Sequence, residues 1–88
     1  MKIKYQKKFL KQLAKLPLDI RTQIEQFVFV RIPEASTIGL VGKIEKLSGY
    51  KDYYKVRFGK YRVGIKIENN TIILKTVLHR KEIYRYFP

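Results

Sequence analysis

The segment YYKVRFGKYRVGIKI at residues 53–67 alternates apolar and polar side chains on both sides of Gly59-Lys60. A period of two is typical of a β-strand with one buried face. A two-residue loop with glycine first favours a type II′ turn, which joins adjacent antiparallel strands. The segment therefore predicts a β-hairpin. Counting outward from the turn pairs Phe58 with Tyr61, Arg57 with Arg62 and Lys55 with Gly64.

A second turn is predicted at Asn69-Asn70, because asparagine tolerates positive φ. The strand that follows runs through Thr71 to Leu78, and we expect Ile72, Leu74 and Leu78 on its apolar face. The C-terminal half is thus a meander of three antiparallel strands. One face of this sheet needs a cover, since a sheet of this size is stable only when its apolar face is packed.

The N-terminal half supplies that cover. KIKY at residues 2–5 predicts a short strand, and two sets of apolar residues then recur at helical spacing, the first ending at Pro17 and the second at Pro33. The members of these sets are Phe9, Leu10, Leu13 and Leu16, followed by Ile20, Ile24, Phe27 and Val28. The predicted fold class is α+β, with an N-terminal strand and a helical hairpin packed on an antiparallel sheet in two layers. Residues 34–49 give mixed signals and carry no assignment.

Size and charge limit the classes of function. The 88 residues fit a single domain spanning 1–88, and 20 Lys and Arg against 7 Asp and Glu give a formal charge of +13. We expect a polyanion or an acidic protein as partner. With no cysteine and a single histidine, neither a cofactor nor a metal site is expected. Lysines interrupt any apolar signal or membrane segment, which favours a cytoplasmic protein with no membrane partner.

The face of the predicted sheet that is turned away from the helices, here called the outer face, is defined by Lys55, Arg57 and Arg62. Like charges that face each other across a ladder destabilise it by up to about 1 kcal/mol, so a bound anion is expected to compensate. Gly64 leaves space beside Lys55, where a backbone or a planar group could approach closely. The same register places further basic groups on this face, namely Lys66, Lys75 and His79.

Other interpretations of these residues remain open. The lysines and arginines could simply solvate the outer face, although an ordinary solvated face mixes charges of both signs. A packing or capping role for His79 is as consistent with the pattern as chemistry. Tyr84 and Tyr86 are candidates for a binding surface, because aromatic rings interleaved with basic groups suit single-stranded RNA.

The run LSGY at residues 47–50, the hairpin YYKVRFGKYRVGI and the ending VLHRKEIY resemble the RelE/ParE superfamily of bacterial and archaeal toxins. The similarity covers residues 44–86, and the preceding strand and helical hairpin fit the family's order of elements. The resemblance implies a RelE-like fold. It also implies one of two activities: ribosome-dependent cleavage of mRNA in the RelE-like branch, or inhibition of DNA gyrase in the ParE-like branch.

By this resemblance, the catalytic residues of a RelE-like site are Lys55, Arg57, Arg62, Arg80 and Tyr84. Arg57 stands where the best-known type has lysine, and its guanidinium holds a proton too firmly to be an easy acid. The candidate RNA-binding residues are the neighbouring basic and aromatic side chains: Lys46, Lys51, Tyr53, Lys60, Lys66, Lys75, His79 and Lys81.

The chemistry expected for such a site is attack of the substrate's own 2′-hydroxyl on the adjacent phosphate, without a metal. Lys55 would accept the proton, and Tyr84 would stack on a base or assist proton transfer. Arg57, Arg62 and Arg80 would stabilise the charge that develops on the phosphorane.

The basic outer face favours the endoribonuclease over the gyrase inhibitor, which does not need it. A member that binds RNA without cutting it is a third possibility. In each case the family implies a cognate acidic antitoxin, lying against the helices and across the outer face. For the nuclease, the ribosome and the mRNA in its A site are the further partners.

Overall fold

The computed structural model describes residues 2–37, 39 and 42–88. Within these residues, five strands form a sheet in the order β1-β5-β4-β3-β2. Strand β1 runs parallel to β5, and all other neighbours are antiparallel. Their bounds are Lys2–Tyr5 (β1), Glu45–Lys46 (β2), Tyr53–Phe58 (β3), Tyr61–Glu68 (β4) and Thr71–His79 (β5). The short strand β2 lies in the region that the sequence left unassigned.

The helices lie at the two ends of the chain. They are α1 (Lys7–Ala14), α2 (Leu18–Glu25), a π-helical segment (Gln26–Arg31), α3 (Ile32–Glu34) and α4 (Ile83–Tyr86). The second helical run ends at Glu34, one residue beyond the expected end at Pro33, which lies within α3. Within residues 2–37, 39 and 42–88, no helix has the length and apolarity to cross a membrane.

The main core lies between the N-terminal helices and one face of the sheet, which confirms the predicted α+β architecture. Its buried side chains come from both layers: Phe9, Leu13, Ile24, Phe27, Val28, Ile32, Val56, Phe58, Val63, Ile65, Ile72, Leu74 and Val77. The Tyr5 hydroxyl adds a polar link, because it donates to the Val28 carbonyl at 2.6 Å in the π-helical segment. Burial raises the pKa of Tyr5 above its usual value.

The predicted register of the β3–β4 hairpin is confirmed at each of its three expected pairs. Gly59 has a φ of +57°, which the first residue of a type II′ turn requires. The second turn is also confirmed, with Asn69 at +49° and Asn70 at +57°. The choice of turn residues therefore determines how β3, β4 and β5 are joined.

A bulge in β5 reverses the expected alternation at the end of that strand. Gly64 pairs with Thr76 but Ile65 pairs with Leu74, so Lys75 is the extra residue. Beyond the bulge, the prediction that Leu78 shares the apolar face of Ile72 is wrong. Leu78 pairs with Arg62 and lies on the outer face.

The edge of β5 beyond β1 is completed by a side chain from α1. The Gln12 Oε1 atom accepts hydrogen bonds from the Thr76 hydroxyl at 2.7 Å and the Val77 N–H at 2.9 Å. These bonds satisfy donors that a neighbouring strand would otherwise pair. Gln12 thus fixes α1 to the part of β5 that leads to Arg80.

The outer face is covered by the C-terminal segment instead of being open to solvent. Helix α4 folds back over it, and Ile83 of α4 and the following Phe87 are buried against Leu47, with Tyr53 and Leu78 packed alongside. This second cluster explains why an apolar residue stands at position 78. Because α4 covers part of the outer face, the part that stays accessible is a cleft between α4 and Lys55 of the hairpin.

Candidate functional site

The second cluster brings Tyr84 onto Lys55. The Lys55 ammonium donates a hydrogen bond to the Tyr84 hydroxyl at 2.6 Å, and its Nζ atom lies 5.1 Å from the centre of the Tyr84 ring. Lys55 projects from β3 beside Gly64, whereas Tyr84 belongs to α4. The two residues are 29 positions apart in the chain, so this contact depends on the docking of α4.

A cleft of about 280 Å³ opens at this pair. It is lined by Leu47, Ser48, Tyr50, Lys55, Tyr84, Phe87 and Pro88. The exposed Tyr50 ring contacts Tyr53 edge-on, with centroids 6.4 Å apart. Sequence reasoning gave no role to Ser48 or Tyr50. Both residues follow buried Leu47 in the turn before β3, and this position in the sequence could have indicated that they lie near the cleft.

The two arginines of the hairpin are paired across the ladder, as predicted, but they differ in environment. Arg57 is 65% exposed and forms an ion pair with Glu45 of β2, its Nε atom 3.9 Å from the carboxylate. Arg62 is only 9% exposed. One of its terminal nitrogens donates to the Gly59 carbonyl at 2.8 Å and the Tyr61 carbonyl at 2.9 Å. Arg62 therefore closes the turn, and the expected repulsion is relieved within the protein.

The space expected beside Gly64 is present, and the chain fills it with its own aromatic ring. A Cβ atom built on Gly64 would lie 2.9 Å from three carbons of the Phe87 ring. The ring also packs edge-on against Tyr53 at 5.5 Å between centroids. The open concavity expected at this position is therefore occupied by Phe87, a residue to which the sequence assigned no role.

The structure separates the neighbours His79 and Arg80. The prediction that His79 lies on the outer face is wrong, because the Lys75 bulge turns it to the other side, where its ring contacts Tyr61 at 5.6 Å. Its Nδ1 atom accepts from the Lys81 N–H at 3.1 Å, which is a capping role. The Arg80 N–H continues the ladder with a 2.7 Å bond to the Lys60 carbonyl. Alternation then places exposed Arg80 on the side of Arg62.

The candidate RNA-binding lysines divide between the two faces. Lys66 lies on the outer face over the Tyr53 ring, and Glu68 at 3.3 Å raises the pKa of Lys66 by hydrogen bonding and charge attraction. Lys75 lines a second cleft together with Tyr53 and Phe87. Lys46 pairs with Tyr54, which packs on the main core, so Lys46 lies on the helix-bearing face of the sheet. The remaining candidates are exposed at the turns: Lys51, Lys60 and Lys81.

The acidic groups of the described residues are scattered. Within residues 2–37, 39 and 42–88, no group of three or more His, Asp or Glu side chains has the arrangement to hold a metal ion. The polar groups that line the cleft are instead the Lys55 ammonium, the phenols of Tyr50 and Tyr84 and the Ser48 hydroxyl. These are donors suited to phosphate oxygens.

Comparisons with known proteins identify the family. A family model described as "ParE toxin of type II toxin-antitoxin system, parDE" matches residues 3–84. Toxin RelE3 of Methanocaldococcus jannaschii is 42% identical over 88 residues, which is 100% of both chains.

Solved structures agree with this similarity. A chain of the RelB-RelE antitoxin-toxin complex from Methanococcus jannaschii is 40% identical, with a TM-score of 0.78 over 97% of this chain and 99% of that chain. A chain of the toxin-antitoxin complex RelBE2 from Mycobacterium tuberculosis is 21% identical and shares the fold, with a TM-score of 0.67 over 90% of each chain. By the family match over residues 3–84 and the full-length identity, this chain belongs to the RelE/ParE superfamily of type II toxin–antitoxin toxins.

Proposed function

We propose that this toxin is an endoribonuclease that cleaves mRNA on the ribosome and so inhibits translation. The observation that carries the proposal is the 2.6 Å contact between Lys55 and Tyr84 in an open cleft. An ammonium and a phenol held together provide two groups that can exchange protons with a substrate. The exposed Arg57 and Arg80 add positive charge for a phosphate.

The proposed reaction is an attack of the 2′-hydroxyl on the adjacent phosphate, which forms a cyclic phosphate and releases the 5′ oxygen. Lys55 in its neutral form takes the proton of the nucleophile. The Tyr84 oxygen accepts the bond from Lys55 in the free protein, so its own O–H remains available to protonate the departing 5′ oxygen, and Tyr84 then regains a proton from Lys55. Arg57 and Arg80 stabilise the charge that develops on the phosphorane, and their effect increases as the bound mRNA excludes water.

Arg62 has a supporting role in this scheme. Its burial and its two bonds to turn carbonyls direct the guanidinium toward the protein. We therefore assign Arg62 to the geometry of the hairpin that carries Lys55 and Arg57. The ribosome supplies the orientation of the mRNA, which a site with weak acid–base groups requires.

A cognate antitoxin is the expected protein partner. Two of the similar structures are complexes of a toxin with a RelB-type antitoxin. The formal charge of +13 favours an acidic segment for the corresponding partner of this chain. We expect it to cover the outer face and the N-terminal helices, so that toxin and mRNA do not meet in the complex.

Inhibition of DNA gyrase is the alternative, because the matching family model bears the name ParE. Two assays with the same purified protein distinguish the two functions. We expect new 5′ ends in a translated reporter mRNA by primer extension, and unchanged supercoiling of a plasmid by gyrase. Lys55→Ala should leave the mRNA intact. Inhibited supercoiling with uncut mRNA would establish the gyrase inhibitor instead.

A further inference from the structure

The contact between Gly64 and Phe87 has an unusually close fit. An added Cβ atom at Gly64 would lie 2.9 Å from Cγ, Cδ2 and Cε2 of the Phe87 ring, closer than carbon atoms normally approach. The Phe87 side chain is 4% exposed, and the Gly64 backbone lies outside the left-handed region. Glycine is therefore needed at position 64 because a larger side chain would collide with the Phe87 ring, and not because the backbone requires a positive φ.

This contact lies directly beside the proposed reacting pair. Gly64 faces Lys55 across the β3–β4 ladder, so the Phe87 ring occupies the position next to the Lys55 side chain. Tyr84 stands three residues before Phe87. The Phe87 N–H donates to the Ile83 carbonyl at 2.8 Å, which continues the turn of α4 to the ring.

Side chains of α4 and of Phe87, the residue that follows it, have different roles. Ile83 and Phe87, four residues apart, are both buried in the second cluster. Tyr84 is 61% exposed, and its hydroxyl contacts Lys55. Ile83 and Phe87 thus hold α4 on the sheet, whereas the exposed Tyr84 ring contributes little buried area of its own.

We propose that Gly64 and Phe87 are positioning residues: the Phe87 ring seated on Gly64 fixes α4 on the sheet and thereby holds the Tyr84 hydroxyl on Lys55. The effect on cleavage rests on the proposed endoribonuclease activity. The effect on the contact between Tyr84 and Lys55 does not, and it is measurable in the free protein.

The first measurement is the NMR chemical shift of the Lys55 Hε protons, which responds to the ring current of Tyr84 when the two side chains are in contact. Tyr84→Ala gives the reference for a lost contact. Gly64→Ala introduces a methyl group where the ring lies, and Phe87→Ala removes the ring. Gly39→Ala is the matched control, since a Cβ at exposed Gly39 meets the Thr37 hydroxyl at 3.9 Å and no nearer atom among the described residues.

We expect the Lys55 signals of Gly64→Ala and Phe87→Ala to move toward those of Tyr84→Ala, and those of Gly39→Ala to stay native. The Lys55 signals of the double variant Gly64→Ala/Phe87→Ala should resemble those of Phe87→Ala alone, because the methyl group added at position 64 then has no ring to displace. If Phe87→Ala does not fold, Phe87→Leu takes its place, as it keeps the second cluster filled. Native Lys55 signals in folded Gly64→Ala and in the Phe87 variant would overturn the proposal.

The second measurement is cleavage of ribosome-bound mRNA. The kcat should fall about tenfold to a hundredfold in Gly64→Ala and Phe87→Ala, as expected when a reacting group is misplaced by about 1 Å, while KM changes less than twofold. Faster cleavage by Phe87→Ala would overturn the proposal, since the ring would then be blocking a substrate site. If the wild-type protein cuts no mRNA, the proposed function fails, and the NMR comparison still decides whether the contact positions Tyr84.

Discussion

Arg57 and Arg62 occupy paired positions on β3 and β4, yet their guanidinium groups bind different partners. Arg57 extends to Glu45 on the neighbouring strand β2, whereas Arg62 folds onto the carbonyls of its own turn. The sequence predicts that these two arginines repel each other. In the structure, Arg62 is a buried side chain that stabilises the turn, and Arg57 is an exposed cation. This difference gives the two residues separate consequences on substitution.

Arg62→Ala should lower the free energy of unfolding by about 1–3 kcal/mol, because it removes two charge-assisted hydrogen bonds and exposes the turn carbonyls that accept them. Arg57→Ala is the control. Its loss should change stability by less than about 0.5 kcal/mol, as for other exposed ion pairs. Urea denaturation measures both values. Equal stability of the two variants would show that the Arg62 contacts contribute little.

Tyr84→Phe should reduce cleavage on the ribosome by about a hundredfold or more, since it removes the hydroxyl that contacts Lys55 and leaves the ring. Tyr86→Phe is a close control, because Tyr86 lies on the same short helix and is 54% exposed compared with 61% for Tyr84. Single-turnover rates on programmed ribosomes provide the comparison. A fully active Tyr84→Phe enzyme would limit Tyr84 to stacking through its ring.

Gln12→Ala should destabilise the fold by about 1–3 kcal/mol, because the Thr76 hydroxyl and the Val77 N–H would lose their acceptor in a buried position. Gln23→Ala, an exposed glutamine on α2, should have almost no effect. Thermal unfolding followed by circular dichroism compares the two. A native melting temperature for Gln12→Ala would mean that water replaces the amide at the β5 edge.

Sequence patterns predicted the hairpin well because local residues determine it. Gly59-Lys60 and Asn69-Asn70 set both turns, and a two-residue turn leaves a single register for the strands it joins. The end of β5 was predicted less well. Polar Thr76 followed by apolar Val77 breaks the alternation there, and this is the sequence signal of the Lys75 bulge. Without the bulge, Leu78 and His79 exchange faces.

The register predicted where Lys55 and Arg57 lie on the sheet, but the sequence did not predict that the C-terminal segment covers the outer face. Lys55 and Arg57 follow from the hairpin register, and Tyr84 from resemblance to the family. The contact between Phe87 and Gly64 depends on how α4 packs on the sheet. This packing is a long-range contact, which the local spacing of apolar residues does not predict. For the same reason the burial of Arg62 was not apparent from its position in an alternating strand.

Binding of single-stranded RNA in the absence of ribosomes should weaken steeply with salt, with a log-log slope of about −0.7 for each phosphate neutralised. Lys60→Ala, at the tip of the hairpin, should reduce the magnitude of that slope by less than one unit. Lys11→Ala on the solvent side of α1 should not change it. Fluorescence anisotropy at several salt concentrations gives the slopes. An affinity that is independent of salt would remove the electrostatic basis for RNA binding.

The proposed attack by the 2′-hydroxyl is tested most simply by comparing the cleavage of two versions of one defined mRNA bound to ribosomes. A single 2′-deoxy nucleotide at the mapped cleavage position removes the proposed nucleophile and leaves the codon unchanged. We predict that the all-ribose mRNA is cut to a product ending in a 2′,3′-cyclic phosphate, and that the 2′-deoxy mRNA stays intact at that position. Equal cleavage of both mRNAs, or no cleavage of either, would contradict the account.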